Sequence, residues 1–117
     1  MNTLFSPLEN FRKQLDFSTI SDERKIVLNE LIQYIKTQNE KGIHLIFICT
    51  HNSRRSQFSQ IWAQAAAYYY GIKAHCYSGG VEVTAFNEKA VESIKRSGFK
   101  VKKEGEGNPQ YSVFFLR

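Results

Sequence analysis

Apolar residues in the first 20 positions recur with the spacing of one helix face. They lie four, three and four residues apart, at Leu4, Leu8, Phe11 and Leu15. This spacing predicts an amphipathic helix. Pro7 suits the first turn of that helix, where the N–H that proline lacks would have no partner within the helix.

A second helix is predicted from Ser21 to about Gln38. Ser21 is a residue type that caps helices, and the acidic residues that follow it suit the positive end of the helix dipole. Its expected buried stripe consists of Val27, Leu31, Tyr34 and Ile35. Residues 39–42 should end the helix, because Gly42 readily adopts a left-handed conformation. Residues 1–42 are therefore interpreted as an N-terminal helical extension, which either covers an open face of the following domain or presents a surface to a partner.

From residue 43 onward the apolar positions form shorter runs. Residues 43–49, IHLIFIC, are almost continuously apolar and predict a strand that is buried on both faces. A helix should follow up to Gly71, with an apolar stripe of Phe58, Ile61, Trp62, Ala65 and Tyr69. Residues 73–80 then predict a second strand that ends in two glycines.

The alternation of strands and helices continues to the end of the sequence. Asn87 and Gly98 should begin and end another helix, and strands are predicted at 99–103 and 111–116 around turn residues 104–110. We therefore expect residues 43–117 to form an α/β domain, a three-layer parallel sheet with flanking helices. Because the sequence ends within an apparent strand, we expect this domain to be incomplete at its C-terminus and its exposed edge to favour a homodimer.

Composition narrows the class of protein. The chain has 117 residues, a size typical of one domain, and a 42% hydrophobic content that supports a packed core. The sequence shows neither an apolar run of the roughly 20 residues that cross a bilayer nor the basic-then-apolar order of a signal peptide. We expect a cytoplasmic protein that binds no membrane.

The charge, the cysteine content and the motifs of the sequence exclude further classes of protein. The net charge of +5 includes a basic stretch at 95–104, interpreted as solvated surface or as a field that attracts anionic substrates. Nucleic-acid-binding motifs are absent from the sequence, so no nucleic-acid partner is expected. Two cysteines and three scattered histidines lack metal-ligand spacing, and we expect no metal, no cofactor and no structural disulfide.

The candidate chemistry lies at residues 49–56, CTHNSRRS, where a strand ends and a helix begins. A tight turn at such a place can point several backbone N–H groups inward, and the helix N-terminus adds partial positive charge. A thiol in that field should have a lowered pKa, which favours the nucleophilic thiolate. A guanidinium from Arg55 or Arg54 can match two phosphate oxygens, and the spacing favours Arg55.

This stretch resembles the phosphate-binding loop of the low-molecular-weight protein tyrosine phosphatases and of the thioredoxin-coupled arsenate reductases that share their fold. The resemblance extends through YSGGVEVTAFNEKAVESIKRSGF and covers about residues 43–103. It implies that Cys49 attacks phosphorus and that Arg55 stabilises the transition state. It also implies that Asn52 shapes the loop, that Ser56 donates to the thiolate, and that substrate contacts come from Thr50, His51, Asn52, Ser53, Arg54 and Ser56.

Three departures from the family pattern affect the functional interpretation. His51 stands where the family usually has glycine, and Arg54 stands where a second cysteine is common. The family's general acid, an aspartate of an Asp-Pro pair, has no counterpart because no aspartate follows Asp22. Cys76, placed within a strand, is interpreted as inert core.

The preferred hypothesis is hydrolysis of a phosphomonoester, most plausibly protein phosphotyrosine, through a phosphocysteine intermediate. The expected partners are a phosphorylated protein or a small phosphomonoester. The alternatives are a thiol-dependent arsenate reductase, which would need thioredoxin and a resolving thiol, and a phosphate-binding module without turnover.

Overall fold

The computed structural model describes residues 3–38, 41–82, 85–106 and 109–116. Its helices are α1 (Ser6–Lys13), α2 (Asp22–Gln38), α3 (Arg55–Tyr69) and α4 (Glu88–Ser97), and a 3-10 turn lies at Phe17–Thr19. Its strands are β1 (Ile43–Cys49), β2 (Ala74–Gly80), β3 (Lys100–Glu104) and β4 (Gln110–Phe114). The predicted α/β class, with a parallel sheet and flanking helices, is confirmed.

Helix boundaries follow the capping residues in the sequence. The Asn87 side chain accepts hydrogen bonds from the backbone N–H groups of Lys89 and Ala90, at 3.0 and 3.2 Å, and so begins α4. Ser21 Oγ accepts from the N–H of Arg24 at 3.2 Å, as its predicted capping role requires. Gly42 has a φ of 86°, although Asn39 and Glu40 of the predicted helix end lie outside the described residues.

The parallel pairing of β1 and β2 positions the candidate loop. The register runs from Ile43 opposite Ala74 to Cys49 opposite Gly80. Helix α3 connects the two strands, and its residues Ala63 and Ala67 pack on the sheet face that carries Ile43 and Cys76. The loop after β1 and the segment after β2 therefore leave the sheet at the same edge.

The opposite face of this sheet is open in the described residues, so the prediction that β1 is buried on both faces is wrong. Ile46 and Ile48 are 62% and 67% exposed. Alternate residues of a strand point to opposite faces, and α3 covers only one of them.

Helix α2 packs less closely than its sequence predicts. Of the expected buried stripe, Val27 and Tyr34 are exposed, whereas Leu31 and Ile35 are half-buried. Ile35 contacts the cluster of Ile43 and Cys76. No helix in the described ranges has the length and hydrophobicity needed to cross a lipid bilayer.

Strands β3 and β4 pair with each other in antiparallel register, from Lys100 opposite Phe114 to Glu104 opposite Gln110. Both strands were predicted, but β3 was expected to extend the parallel sheet, and within the described residues it does not. The connection between them is short, and short connections join antiparallel strands, whereas parallel neighbours need a long crossover. Residues 107 and 108 of the predicted turn lie outside the described part of the chain.

The main core joins the N-terminal segment to the second half of the chain. Leu8 of α1 and Ile94 of α4 are each 1% exposed and belong to one cluster with Phe99. Leu4 forms an antiparallel bridge with Leu116, and the N–H of Phe5 donates to the carbonyl of Phe115 at 2.9 Å. Helix α1 is therefore a packed part of the α/β structure.

Side-chain amides of α3 pair with the outer edge of β2. Gln64 accepts from the N–H of Cys76 and donates to the carbonyl of Ala74, both at 2.9 Å. Gln60 donates to the carbonyl of Cys76 at 3.0 Å and accepts from the Ser78 hydroxyl at 2.6 Å. These bonds satisfy backbone groups that a strand edge otherwise offers to another chain, and they hold α3 on the sheet.

Gly98→Ala should destabilise the fold more than Gly71→Ala, a matched change at the end of α3. Both glycines have positive φ, 120° and 71° respectively, but a Cβ on Gly98 would lie 2.7 Å from Pro7 Cβ, whereas a Cβ on Gly71 meets nothing within 4 Å. Backbone strain alone costs about 1–2 kcal/mol, and we expect about 2–4 kcal/mol when it is combined with the clash. Urea unfolding of both variants measures the difference; equal losses would contradict the close packing of α1 on α4.

Candidate active site

Residues 49–56, here called the cysteine loop, connect β1 to α3. Cys49 is the last residue of β1, and Arg55 is the first residue of α3. The sulfur is half-buried, and the side chains of Arg54 and Arg55 are exposed. The loop therefore places a thiol next to the positively polarised N-terminus of a helix of 15 residues.

Hydrogen-bond donors surround the Cys49 sulfur. Ser56 Oγ lies 3.0 Å from Sγ, and the backbone nitrogen of Asn52 lies 3.3 Å from it. These contacts lower the pKa of Cys49 to about 7, with the Ser56 hydroxyl as the largest cause and the backbone N–H groups of Ser56, Asn52 and His51 adding to it. Partial desolvation of the thiol acts in the opposite direction and is outweighed. The lowered pKa therefore favours the nucleophilic thiolate near neutral pH.

A buried network orients the Ser56 hydroxyl. Ser56 is 2% exposed, and its Oγ accepts a hydrogen bond from Asn52 Nδ2 at 2.7 Å. A thiolate has no proton to donate, so in the ionised form of Cys49 the Ser56 hydroxyl is the donor in this contact. Asn52 has a φ of 53°, a left-handed conformation that asparagine tolerates, and Gln57 Nε2 donates to its carbonyl at 3.0 Å.

The loop is also held from outside. The carbonyl of Thr50 accepts from the N–H groups of Val81 and Glu82, at 2.8 and 3.0 Å, and the carbonyl of Ser53 accepts from the N–H of Asn87 at 2.9 Å. Gly80 lies so close that a Cβ there would be 2.8 Å from the backbone nitrogen of Asn52. The end of β2 and the start of α4 therefore set the shape of the cysteine loop.

A cavity of about 390 Å³ opens above the thiol. It is lined by Phe47, Ile48, Cys49, Thr50, Arg55, Ser56, Ser59 and Val81. Its floor carries the thiol and the hydroxyl, its edge carries a guanidinium, and apolar side chains form its outer part. This arrangement suits a small anion that is attached to an apolar group.

The residues predicted from sequence are placed in three groups. Cys49, Thr50, Arg55 and Ser56 line the cavity, and Asn52 supports it through Ser56. His51 is exposed and does not line the cavity, but it follows Thr50, which does; its Nε2 lies 3.2 Å from Glu82 Oε2. Ser53 contributes a carbonyl to the loop framework, and Arg54 occupies the position before α3 with no side-chain cap bond of its own. Their roles toward a substrate remain predictions.

Sequence reasoning missed three residues of the site. Gln57 ties Asn52 to α3, Gly80 permits the close approach of β2, and Glu82 pairs with His51. Only Gly80 left a signal in the sequence, because two glycines at the end of a strand indicate a close backbone approach.

Cys76 stands apart from this site. It is buried against α3, and burial raises the pKa of its thiol. In the β1–β2 register Cys76 is opposite Leu45 and Gly80 is opposite Cys49, so the two cysteines lie four residue positions apart along the sheet. At about 3.3 Å per residue that separation is about 13 Å, whereas a disulfide requires Cα atoms within about 7 Å.

Comparison with known proteins shows the family. Residues 44–107 match the model of the low molecular weight phosphotyrosine protein phosphatase family, which is more than half of the chain, and the chain belongs to this family. No solved structure gives a significant match. Among the described residues no group of three or more histidine, cysteine, aspartate or glutamate side chains could hold a metal ion.

Curated relatives carry the name arsenate reductase. Arsenate reductase 2 of Staphylococcus haemolyticus is 39% identical over 57 residues, which are 49% of this chain and 41% of that protein. The arsenate reductase of Bacillus subtilis is 37% identical over 57 residues, 49% of this chain and 39% of that protein. The arsenate reductase of Brevibacillus brevis is 34% identical over 64 residues, which are 55% of this chain and 44% of that protein. The chain thus spans about two fifths of the length of these relatives.

Ser56→Ala should raise the pKa of Cys49 above its value of about 7, because the largest stabilising contact of the thiolate is lost. The alkylation rate of the wild-type thiol should rise with pH through that value and level off above it; in the variant the rise should move to higher pH. Iodoacetamide labelling of residue 49 over pH 5–10 measures this. Ser97→Ala, which removes a hydroxyl bonded to a helix carbonyl away from the site, is the control. Identical profiles for the Ser56 variant and the wild type would contradict the assigned hydrogen bond.

Gly80→Ala should disturb the cysteine loop, whereas the neighbouring change Gly79→Ala should not. The nearest atom to a Cβ on Gly79 is Ile46 Cδ1 at 3.7 Å, an ordinary contact, but a Cβ on Gly80 would meet the Asn52 backbone. We expect slower labelling of Cys49 at pH 7 in the Gly80 variant alone. Equal labelling rates in both variants would show that the loop does not depend on this approach.

Proposed function

We propose that this protein hydrolyses phosphomonoesters through Cys49, with an aryl phosphate such as protein phosphotyrosine as the substrate. The observation that supports this most directly is the position of the Cys49 sulfur, 3.0 Å from the Ser56 hydroxyl oxygen and 3.3 Å from the backbone nitrogen of Asn52. The thiolate attacks phosphorus, the bond to the ester oxygen breaks, and a phosphocysteine forms. Water then attacks phosphorus, the P–S bond breaks, and phosphate and the thiolate are released.

The charge of the transferring phosphoryl group is stabilised by groups already in place. The backbone N–H groups of His51, Asn52 and Ser56 act on the Cys49 sulfur at the N-terminus of α3. Arg55 lines the cavity beside the thiol. A guanidinium binds two equatorial oxygens in a planar fork, which is the geometry that an in-line displacement develops. Ser56 donates to sulfur and so stabilises the thiolate as the leaving group of the second step.

The outer part of the cavity supports an aromatic ester. Ile48 and Val81 are exposed apolar side chains at the opening, and Phe47 is half-buried below them. A phosphotyrosine ring would place its phosphate among the loop amides and its ring against these side chains. A phosphorylated protein or a small aryl phosphate is therefore the proposed partner.

Cys49→Ser should abolish hydrolysis of p-nitrophenyl phosphate, with a loss of at least about 10³-fold in kcat, because the nucleophile is removed. Cys76→Ser should retain activity, since Cys76 lies remote from the loop. Release of p-nitrophenolate measures both variants. Equal rates in the wild type and in Cys49→Ser would contradict the proposal, and tight phosphate binding without turnover would instead support a phosphate-binding module.

Thiol-dependent arsenate reduction is the second candidate, and the names of the curated relatives favour it. Reduction needs a second thiol that reaches the first. Cys76 lies about 13 Å from Cys49 in the sheet register, so within this chain it is not placed to form that disulfide. Arsenate-dependent oxidation of reduced thioredoxin that is lost in both Cys49→Ser and Cys76→Ser would support reduction over hydrolysis.

A further inference from the structure

His51 lies within the cysteine loop, two residues after Cys49. Its backbone N–H contributes to the environment of the Cys49 sulfur, its side chain is 56% exposed, and the preceding residue, Thr50, lines the cavity. The Nε2 atom of His51 lies 3.2 Å from Oε2 of Glu82, a residue in the segment that follows β2. The N–H of Glu82 donates to Thr50, so the backbone of the pairing residue is itself attached to the loop.

The cleavage of an ester with a poor leaving group requires a proton donor at the solvent side of the cavity. In an in-line displacement the leaving oxygen lies opposite the attacking sulfur. Because Cys49 is at the floor of the cavity, the leaving oxygen is on the solvent side of phosphorus. A group that protonates it must therefore be exposed and close to the loop, and both conditions hold for the imidazole of His51.

We propose that His51 is the general acid of the first step and the general base of the second, with Glu82 holding its ring. This inference rests on the proposed phosphatase function. Imidazole exists in both protonation states near neutral pH, which suits a group that must give and then recover a proton. The carboxylate of Glu82 accepts Nε2–H and orients the ring, as a carboxylate does beside a catalytic histidine in other hydrolases.

The proton that His51 gives up in the first step is recovered in the second. As the P–S bond forms and the P–O bond breaks, the electron pair of that bond goes to the leaving oxygen, and the proton on Nδ1 of the imidazolium joins it there. The alcohol or phenol departs and His51 is neutral. In the second step Nδ1 takes a proton from the attacking water as the P–S bond breaks, and the thiolate and the imidazolium are restored with release of inorganic phosphate.

The leaving group of the substrate separates this role from a structural one. Phenyl phosphate has a poor leaving group that needs a proton, whereas p-nitrophenolate leaves readily without one. His51→Gln should therefore reduce kcat for phenyl phosphate by about 10²-fold or more and kcat for p-nitrophenyl phosphate by no more than a few-fold. Glu82→Gln should lower kcat in the same pattern as His51→Gln, but its loss of kcat for phenyl phosphate should be smaller than the loss in His51→Gln.

His75→Gln is the matched control and should leave both rates unchanged. His75 is exposed and lies near the start of β2, whereas Gly80, next to the cysteine loop, is the last residue of β2. Equal losses on both substrates in His51→Gln and Glu82→Gln would show that the pair only anchors the loop, and the inference would be overturned. The same conclusion follows if neither variant loses activity on phenyl phosphate. If the wild type shows no Cys49-dependent turnover of either substrate, the proposed function fails and the inference fails with it.

Discussion

The hydrogen bond between the Ser56 hydroxyl and the Cys49 sulfur is the interaction on which the candidate site depends. It joins the last residue of β1 to the first turn of α3, and it is the largest cause of the lowered pKa of the thiol. Asn52 donates to the same oxygen and so holds the hydroxyl in place. Asn52 must adopt a left-handed backbone to do this, and Gln57 holds it there.

This small network is stable because the parallel sheet brings a second segment to the same edge. Cys49 and Gly80 are paired in the β1–β2 register, so the chain after β2 passes beside the cysteine loop. The absence of a side chain at Gly80 lets the two backbones approach closely. Backbone bonds from Val81, Glu82 and Asn87 then satisfy carbonyls of the loop that its tight turn leaves without helix partners.

Much of the local structure was predictable from sequence because its causes are local. Asn87 begins α4 through a side-chain cap to the next residues of the chain, and Gly98 ends it through its own backbone conformation. The burial of β1 and α2 was predicted less well. Ile48 and Val27 are apolar and were expected inside, but burial depends on which element covers a face, and within the described residues none covers these. The antiparallel pairing of β3 with β4 has a local cause, the short connection between the two strands, and the expectation of one parallel sheet did not take that connection into account.

For the candidate site, the difference between what could and what could not be predicted from sequence has the same physical basis. The sequence by itself determined the thiol, the donors and the helix N-terminus, because residues 49–56 are contiguous and a turn between a strand and a helix points their N–H groups inward. Only the tertiary structure decided that Gly80 would lie against Asn52, that Cys76 would lie too far from Cys49, and that Glu82 would meet His51. Those relations follow from the register of two strands joined through α3, and a register is set by packing across the whole sheet.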